Sequence, residues 1–298
     1  MAEGMAPRKI SRARAVATVI SFALLVPGVA AAQEAPICLE VDGKLDAGVD
    51  RWRGTNRKDS VTGLRGNDIM TGRKGNDHLN GGRDNDVVKG GPGDDILCGG
   101  SGDDKIIGGD GDDVIYGEEE NDTIIPGPGD DRVLGSAGDD RIYGWGKQGG
   151  EIVDDGIDLL DGGFNDDIIE AGGADTLLGF THDDILRTKT PAVAPKLMDG
   201  GGNDDQLFGS EAADEMRGGV DGRDKLYGAG GNDKLFGEGN DDELYGQLGD
   251  DDLFGGDGFD LLDGGPGDDR CDGGELEDQA RDCEDEVAIE RPVARPRR

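Results

Sequence analysis

The chain has 298 residues, with 57 Gly, 67 Asp or Glu and 31 Lys or Arg, and a formal net charge of −36. Aromatic residues make up only 4%. So acidic a chain repels phosphate, which excludes nucleic acid as a natural partner, and so few large side chains exclude a conventional packed globule. Such a composition folds only if a repeat pools many small cores and cations offset the charge.

In chain order, Arg8, Lys9, Arg12 and Arg14 precede an apolar run from Ala13 to Val26, and Pro27 to Gln33 is mostly small residues. This is the form of a secretory leader, residues 1–32, cleaved after about Ala32. The apolar run is shorter than the ~20 residues of a membrane span, so no transmembrane span is expected in the mature chain. Removing four basic residues and Glu3 takes the formal charge to −39. An exported chain with four cysteines is expected to carry disulfides. Three pairings exist. Cys38 lies ahead of the repeats and Cys98 within them, while Cys271 and Cys283 sit together near the C-terminal end, which favours Cys38–Cys98 and Cys271–Cys283.

Residues 33–53 lack a clear period. Ile37, Leu39, Val41, Leu45, Val49 and Trp52 suggest short strands that cap an open solenoid end. From Gly54 a nine-residue phrase recurs, cleanest as GGPGDDILC, GGSGDDKII and GGDGDDVIY from Gly90, Gly99 and Gly108. Aspartate holds the sixth place and an apolar residue the eighth. The first block spans 54–187. Within it GWGKQGGEI (144–152) loses the pattern, with Gly149 where Asp belongs, and is expected to keep its coil while losing a ligand. AGGADTLLG is one residue shorter before Asp175 than its neighbours. TKTPAVAPKLMD (188–199), with Pro191 and Pro195, reads as an interrupting loop and a candidate contact surface. The second block spans 200–272 and includes a ten-residue copy around Asp224. It ends with Cys271 at an eighth place. Residues 273–298 read as a C-terminal cap and a disordered, Arg-rich tail.

Each place has a chemical reason. Glycines at the first, second and fourth places are expected to turn with φ > 0 and to let carbonyls converge. Asn or Asp at the fifth is expected to accept the left-handed region. The last three residues form a very short strand whose middle member points inward: Val61, Met70, Leu79, Val88, Leu97, Ile106 and so on. One such side chain per nine residues is a thin core, set against backbone entropy and stacked like charges. Oxygen donors in a flexible, Gly-rich turn suit Ca²⁺ better than Mg²⁺, and His78 and His182 are too few and too separated for zinc or copper. About 20 calcium ions would balance the mature charge.

The phrase resembles the glycine-rich nonapeptide of RTX, or hemolysin-type calcium-binding, proteins, and the resemblance covers 54–274. It implies an all-β fold, a right-handed parallel β-roll solenoid with N- and C-terminal caps, in which two copies make one coil and calcium lies between stacked turns. Carried over, the metal ligands are Asp68, Asp77, Asp86, Asp95, Asp104, Asp113, Asp122, Asp131, Asp140, Asp158, Asp167, Asp175 and Asp184. In the second block they are Asp205, Asp214, Asp224, Asp233, Asp242, Asp251, Asp260 and Asp269. Many members are similar in leaving the cell through a channel by a C-terminal signal. This chain departs from them in its N-terminal leader.

Tyr116, Tyr143, Phe208, Tyr227, Phe236, Tyr245 and Phe254 stand at ninth places, where alternate copies would stack them into ladders. Such ladders are either cross-strand packing or a carbohydrate-stacking surface. No H-E-x-x-H or G-x-S-x-G motif occurs, and the repeat accounts for the carboxylates. The sequence therefore reads as a secreted, extracellular calcium-binding protein that folds on Ca²⁺ and serves a structural or surface role, not an enzyme. The alternative is a module that binds polysaccharide or a protein partner, and the third reading is a polysaccharide-modifying enzyme.

Overall fold

The computed structural model describes residues 38, 43–144, 146–148, 151–153, 156–172, 174–188, 197–276, 278–283 and 285–287. The expected leader and the arginine-rich tail lie outside them, as do residues 33–37 and 39–42 of the expected N-terminal cap.

The nine-residue period builds the architecture. The last three residues of one copy and the first three of the next form one strand, as in Ile96–Ser101, Lys105–Asp110 and Val114–Glu119. These strands are longer than the three residues expected, because the glycines after the ninth place keep pairing. Successive strands go alternately to two parallel sheets. Among the described residues one sheet has 14 strands, from Gly43–Lys44 to Asp285–Val287, and the other has 13, from Arg51–Arg53 to Gln279–Arg281. Here they are called sheet A and sheet B. Partners in sheet A stand 18 residues apart, with Leu97 beside Ile115 and Cys98 beside Tyr116. Sheet B matches, with Ile106 beside Ile124. Two copies therefore make one coil of a parallel β-roll.

The alternation of strand side chains turns every eighth place inward. Leu97, Ile106, Ile115 and Ile124 are fully buried, and the same place stays buried through Leu253, Leu262 and Cys271. The core is a double file of single aliphatic side chains running the length of the roll. Leu45 and Trp52 pack on one end, Ala280 and Cys283 on the other.

Four expectations change. First, residues 144–152 do not form a coil. The strand Arg132–Ala137 pairs directly with Leu159–Phe164, and Arg141–Gly144 with Ile168–Ala171, both at a separation of 27. The extra nine residues leave the stack, and Gly146–Gln148 pairs antiparallel with Glu151–Val153 in a hairpin of its own. Gly144 still stands in a first place, since a Cβ there would lie 3.5 Å from Asp158 Oδ2. Gly144 and residues 154–161 are thus one intact copy, GDDGIDLLD, split by an insertion as long as the period. Second, the loop expected over 188–199 is narrower. Leu197–Gly202 is a strand of sheet A with Met198 in the core, and only 189–196 fall outside the described residues. Third, the two blocks are one stack, because Thr176–Thr181 pairs with Leu197–Gly202 and Ile185–Thr188 with Gln206–Phe208. Fourth, Gly43–Lys44 and Arg51–Arg53 already pair in the roll at its normal register, so residues 43–53 are its first coil.

Both expected disulfides are present, Cys38–Cys98 and Cys271–Cys283. The first crosses the outer face of sheet A, where Asn80 Nδ2 also donates to the Cys38 carbonyl at 2.8 Å. The second ties the last coils together from a core position.

Two outcomes follow from this arrangement. Deleting 145–153 joins Gly144 to Asp154 and regenerates a complete copy, so the variant should keep the calcium-dependent β signal in circular dichroism and an unchanged thermal midpoint. Loss of ordered structure would contradict the split-copy assignment. Replacing Cys271 and Cys283 by Ser should cost about 2–4 kcal/mol, concentrated at the C-terminal end, because coils contact only their neighbours. Hydrogen exchange should rise in Arg270–Glu275 and Gln279–Arg281 before it rises in Val114–Glu119.

Candidate metal centre

The turns between the two sheets lie along two edges of the roll. The sixth-place aspartates are held in one recurring way, from which Asp214 departs, its Oδ2 accepting the backbone N–H of Ser210 in its own copy at 2.6 Å. Asp95 Oδ1 accepts the backbone N–H of Asp77 at 2.6 Å, and Asp113 Oδ1 accepts that of Asp95 at 2.7 Å. The carboxylate of one turn thus binds the backbone of the turn before it. The peptide carbonyl answers in the forward direction, with Val114 N–H donating to the Asp95 carbonyl at 2.9 Å.

On one edge these links join Asp50, Asp68, Asp86, Asp104, Asp122, Asp140, Asp167, Asp184, Asp205, Asp224, Asp242, Asp260 and Asp278 without a break. On the other edge they join Asp59, Asp77, Asp95, Asp113, Asp131, Asp158 and Asp175, and then, beyond 189–196, Asp214, Asp233, Asp251 and Asp269. All of the expected ligand aspartates therefore stand in one of two stacks. Asp175 and Asp224, in turns of altered length, keep their places at separations of 17 and 19 residues.

Three members escaped the sequence reading. Asp50 and Asp59 follow no glycine-rich approach, and Asp278 lies in GGELEDQAR, which keeps only the leading glycines. The signal was present in their spacing: Asp50 and Asp59 precede Asp68 by 18 and 9, and Asp278 follows Asp269 by 9.

The second carboxylate oxygen is the informative one. In Asp68, Asp77, Asp86, Asp95, Asp104, Asp113 and Asp122, Oδ2 is buried without a hydrogen-bond partner, and the same holds for Asp205, Asp233, Asp242 and Asp260. Each aims at the first-place glycine of its own copy. A Cβ on Gly108 would lie 2.3 Å from Asp113 Oδ2 and 2.3 Å from the Pro126 carbonyl oxygen of the next turn on that edge. At Gly117 the corresponding distances are 2.3 Å to Asp122 Oδ2 and 2.6 Å to the Gly135 carbonyl. First-place glycine is thus required for space: a carboxylate and a carbonyl oxygen converge where its side chain would be. Its φ is ordinary, against expectation. Positive φ falls on the second and fourth places, as in Gly109 (136°) and Gly111 (127°), and Glu118 (87°) and Glu120 (71°) adopt it even without glycine. Fifth-place residues are not left-handed either. They build a second, exposed ladder, in which Asp112 N–H donates to Asp94 Oδ1 at 3.3 Å and Asp130 N–H to Asp112 Oδ1 at 3.1 Å.

Burial drives the electrostatics. It pushes the Asp86, Asp95 and Asp104 carboxyls up to about 7, and Asp113 and Asp122 up to about 8, from an ordinary 3.8. The backbone N–H bond opposes this shift and neighbouring carboxylates add to it. No group of three or more His, Cys, Asp or Glu side chains converges on one point among the described residues. Any cation here must therefore complete its shell with backbone carbonyls. A hard, oxygen-seeking ion of flexible coordination fits that donor set. His78 lies in a strand of sheet A and His182 in a turn, so they do not meet.

The ninth-place aromatics divide. Phe208, Tyr227 and Tyr245 stack on sheet B with centroids 5.0 Å apart, and Phe236 and Phe254 stack on sheet A at 4.9 Å. Tyr116 and Tyr143 stand beside non-aromatic partners and join neither ladder. The ring planes lie within 4–7° of each other, so rings face one another and turn their edges outward. Guanidinium groups cover outer faces: Arg187 over Phe208, Arg217 over Phe236 and Arg270 over Phe254.

No curated protein matches the chain. A family model does, that of the RTX calcium-binding nonapeptide repeat in units of four copies, over residues 53–88, 89–124, 125–146, 197–221, 218–253 and 245–280. The stretch it skips, 147–196, holds most of the inserted hairpin, the shortened turn at Asp175 and the 189–196 segment. Because the matched stretches take in more than half of the chain, it belongs to the RTX calcium-binding repeat family, and the ions its repeats bind are Ca²⁺.

Proposed function

We propose that this is an exported, extracellular β-roll of structural or surface role that folds when calcium fills both edges, with the stacked sixth-place aspartates as its ligands. The observation that carries this reading is the buried Oδ2 aimed beside a carbonyl oxygen at turn after turn, as at Gly63, Gly81, Gly99, Gly108, Gly117, Gly200, Gly228 and Gly255. Asp50, Asp59 and Asp278 join the expected ligand set. Calcium would supply positive charge between carboxylates that otherwise repel, and a link between successive turns. The protein supplies the rest: glycine clears the space, the N–H of the preceding turn fixes Oδ1, and burial excludes water. One ion per linked pair of aspartates gives 12 on the unbroken edge and nine on the other. That is close to the ~20 required by charge balance.

Export rests on the leader and on the two disulfides, which persist in oxidising compartments. No helix among the described residues is long and apolar enough to cross a membrane. The aromatic ladders do not favour sugar stacking, since sugars stack on ring faces and, apart from the end face of Tyr245, these faces are taken by neighbouring rings and guanidiniums. They support the roll through cross-strand packing.

The mature chain should be largely unordered in chelator and gain β structure as calcium rises through about 10⁻⁴–10⁻³ M, followed by circular dichroism. Ellipticity indifferent to chelation would overturn the proposal. Gly108→Ala and Asp113→Asn each remove one regular turn's cradle or charge and should raise the calcium midpoint several-fold, while Asp112→Asn, in the exposed ladder, should change it little.

The carboxyls also predict a pH response. Their folded-state values near 7–8 exceed the unfolded 3.8, so protonation stabilises the cation-free coil fully below about pH 4 and is lost as pH rises through about 7–8. Calcium competes with these protons. Its midpoint should therefore rise as pH falls from about 8 to 6, and binding should release protons into weakly buffered solution. A midpoint flat across that range would contradict the assignment.

A further inference from the structure

The outer face of sheet B changes character along the roll. In its C-terminal half, cations meet acids: Lys225 pairs with Glu243 at 3.2 Å, Arg187 with Glu170 at 3.7 Å, and Arg281 with Asp263. In its N-terminal half they do not. Between Arg51 and Tyr143 the outward seventh and ninth places of sheet B hold Arg51, Arg53, Lys89, Lys105 and Arg141, and no carboxylate. All five are exposed, and none forms an ion pair within 4 Å among the described residues. Between them Ile69, Val87, Ile107 and Ile125, together with Thr71 and Thr123, are half-buried, giving a mostly apolar floor. On a chain of formal charge −36, five unpaired cations collected on one face are a marked departure.

Its shape narrows the ligand. Seventh and ninth places are two residues apart, about 7 Å, while five strand spacings separate Arg53 from Arg141, about 24 Å. The stripe is therefore long and about one chain wide. Acidic fifth-place residues border it on both edges, among them Asp94, Asp112 and Asp130 on one and Asp103 and Asp139 on the other. A flat anionic bilayer would press against those acids, whereas a single linear chain would not. The stripe offers Tyr143 as its only aromatic, so it lacks the stacking platforms that single-stranded nucleic acid uses.

We propose that this stripe docks a linear acidic polysaccharide, uronate- or sulfate-bearing, along the roll axis. The site is separate from the aromatic ladders. Calcium gates it in two ways: it assembles the coils that align the cations, and it neutralises the buried edge carboxylates that would otherwise cancel their field. The gating rests on the calcium-dependent fold, but the stripe's residues are not calcium ligands, so the two ideas fail separately.

The test is fluorescence anisotropy of a labelled heparin oligosaccharide with the intact mature chain in calcium, with neutral dextran, phosphatidylserine vesicles and single-stranded DNA as the other arms. Heparin should bind saturably, with affinity falling steeply as salt rises, and in preference to the other three. The triple variant Arg53→Gln/Lys89→Gln/Arg141→Gln should lose about tenfold or more in affinity and show a shallower salt dependence. The double variant Lys225→Gln/Lys234→Gln, which removes cations elsewhere, should match the wild type. Circular dichroism in calcium verifies that each variant folds. Equal binding by the triple variant, no heparin binding, or tighter binding to vesicles or DNA would overturn the proposal. Failure of the wild type to fold in calcium would instead overturn the reading under Proposed function.

Discussion

The structure depends on one contact, repeated: a sixth-place carboxylate whose Oδ1 accepts the backbone N–H of the turn before it. That bond ties each coil to its neighbour at the edges, where strand pairing alone would leave the turns loose. It also buries a negative charge and leaves the second oxygen facing a carbonyl in a space kept clear by glycine. A buried carboxylate in that position must be protonated or bound to a cation. The fold is thus built around a demand that the polypeptide does not meet by itself, and the thin file of core aliphatics is too small to override it.

Much of this was legible in the nine-residue phrase. The eighth-place residues from Val61 to Leu262 are the core, and the expected aspartates all stand in the two stacks. What was not legible follows from the form of the signal. Asp50, Asp59 and Asp278 sit in copies that keep only one or two of their glycines, so spacing marks them and composition does not. The break at 144–152 misled because the insertion equals the period. A nine-residue hairpin inside a nonapeptide leaves the phase intact, and only sheet pairing reveals that Gly144 and Asp158 belong to one turn. The role of first-place glycine was also hidden. Sequence cannot separate a glycine needed for its φ from one needed for its lack of a side chain, and here the carboxylate oxygen beside Gly108 decides it.

The two edges are not equivalent. One carries an unbroken run from Asp50 to Asp278. The other absorbs both the inserted hairpin and the 189–196 segment, and its aspartate stack stops at Asp175 and restarts at Asp214. Parity explains why both departures share an edge: strands alternate between sheets, and each insertion enters a turn that leads from sheet B to sheet A. The unbroken edge keeps its links even through the ten-residue copy around Asp224, while the other accommodates the two long insertions. The disulfides complement this by fastening the ends, where a coil has a neighbour on one side only.

The most direct test is a count of bound calcium by native mass spectrometry on the mature, disulfide-intact chain. If each linked pair of aspartates holds an ion, the folded species should carry about 20 calcium ions and lose them together with its compact charge-state distribution on chelation. A compact species carrying none or only a few calcium ions would show that the buried carboxylates are satisfied in some other way, and would contradict this account at its foundation.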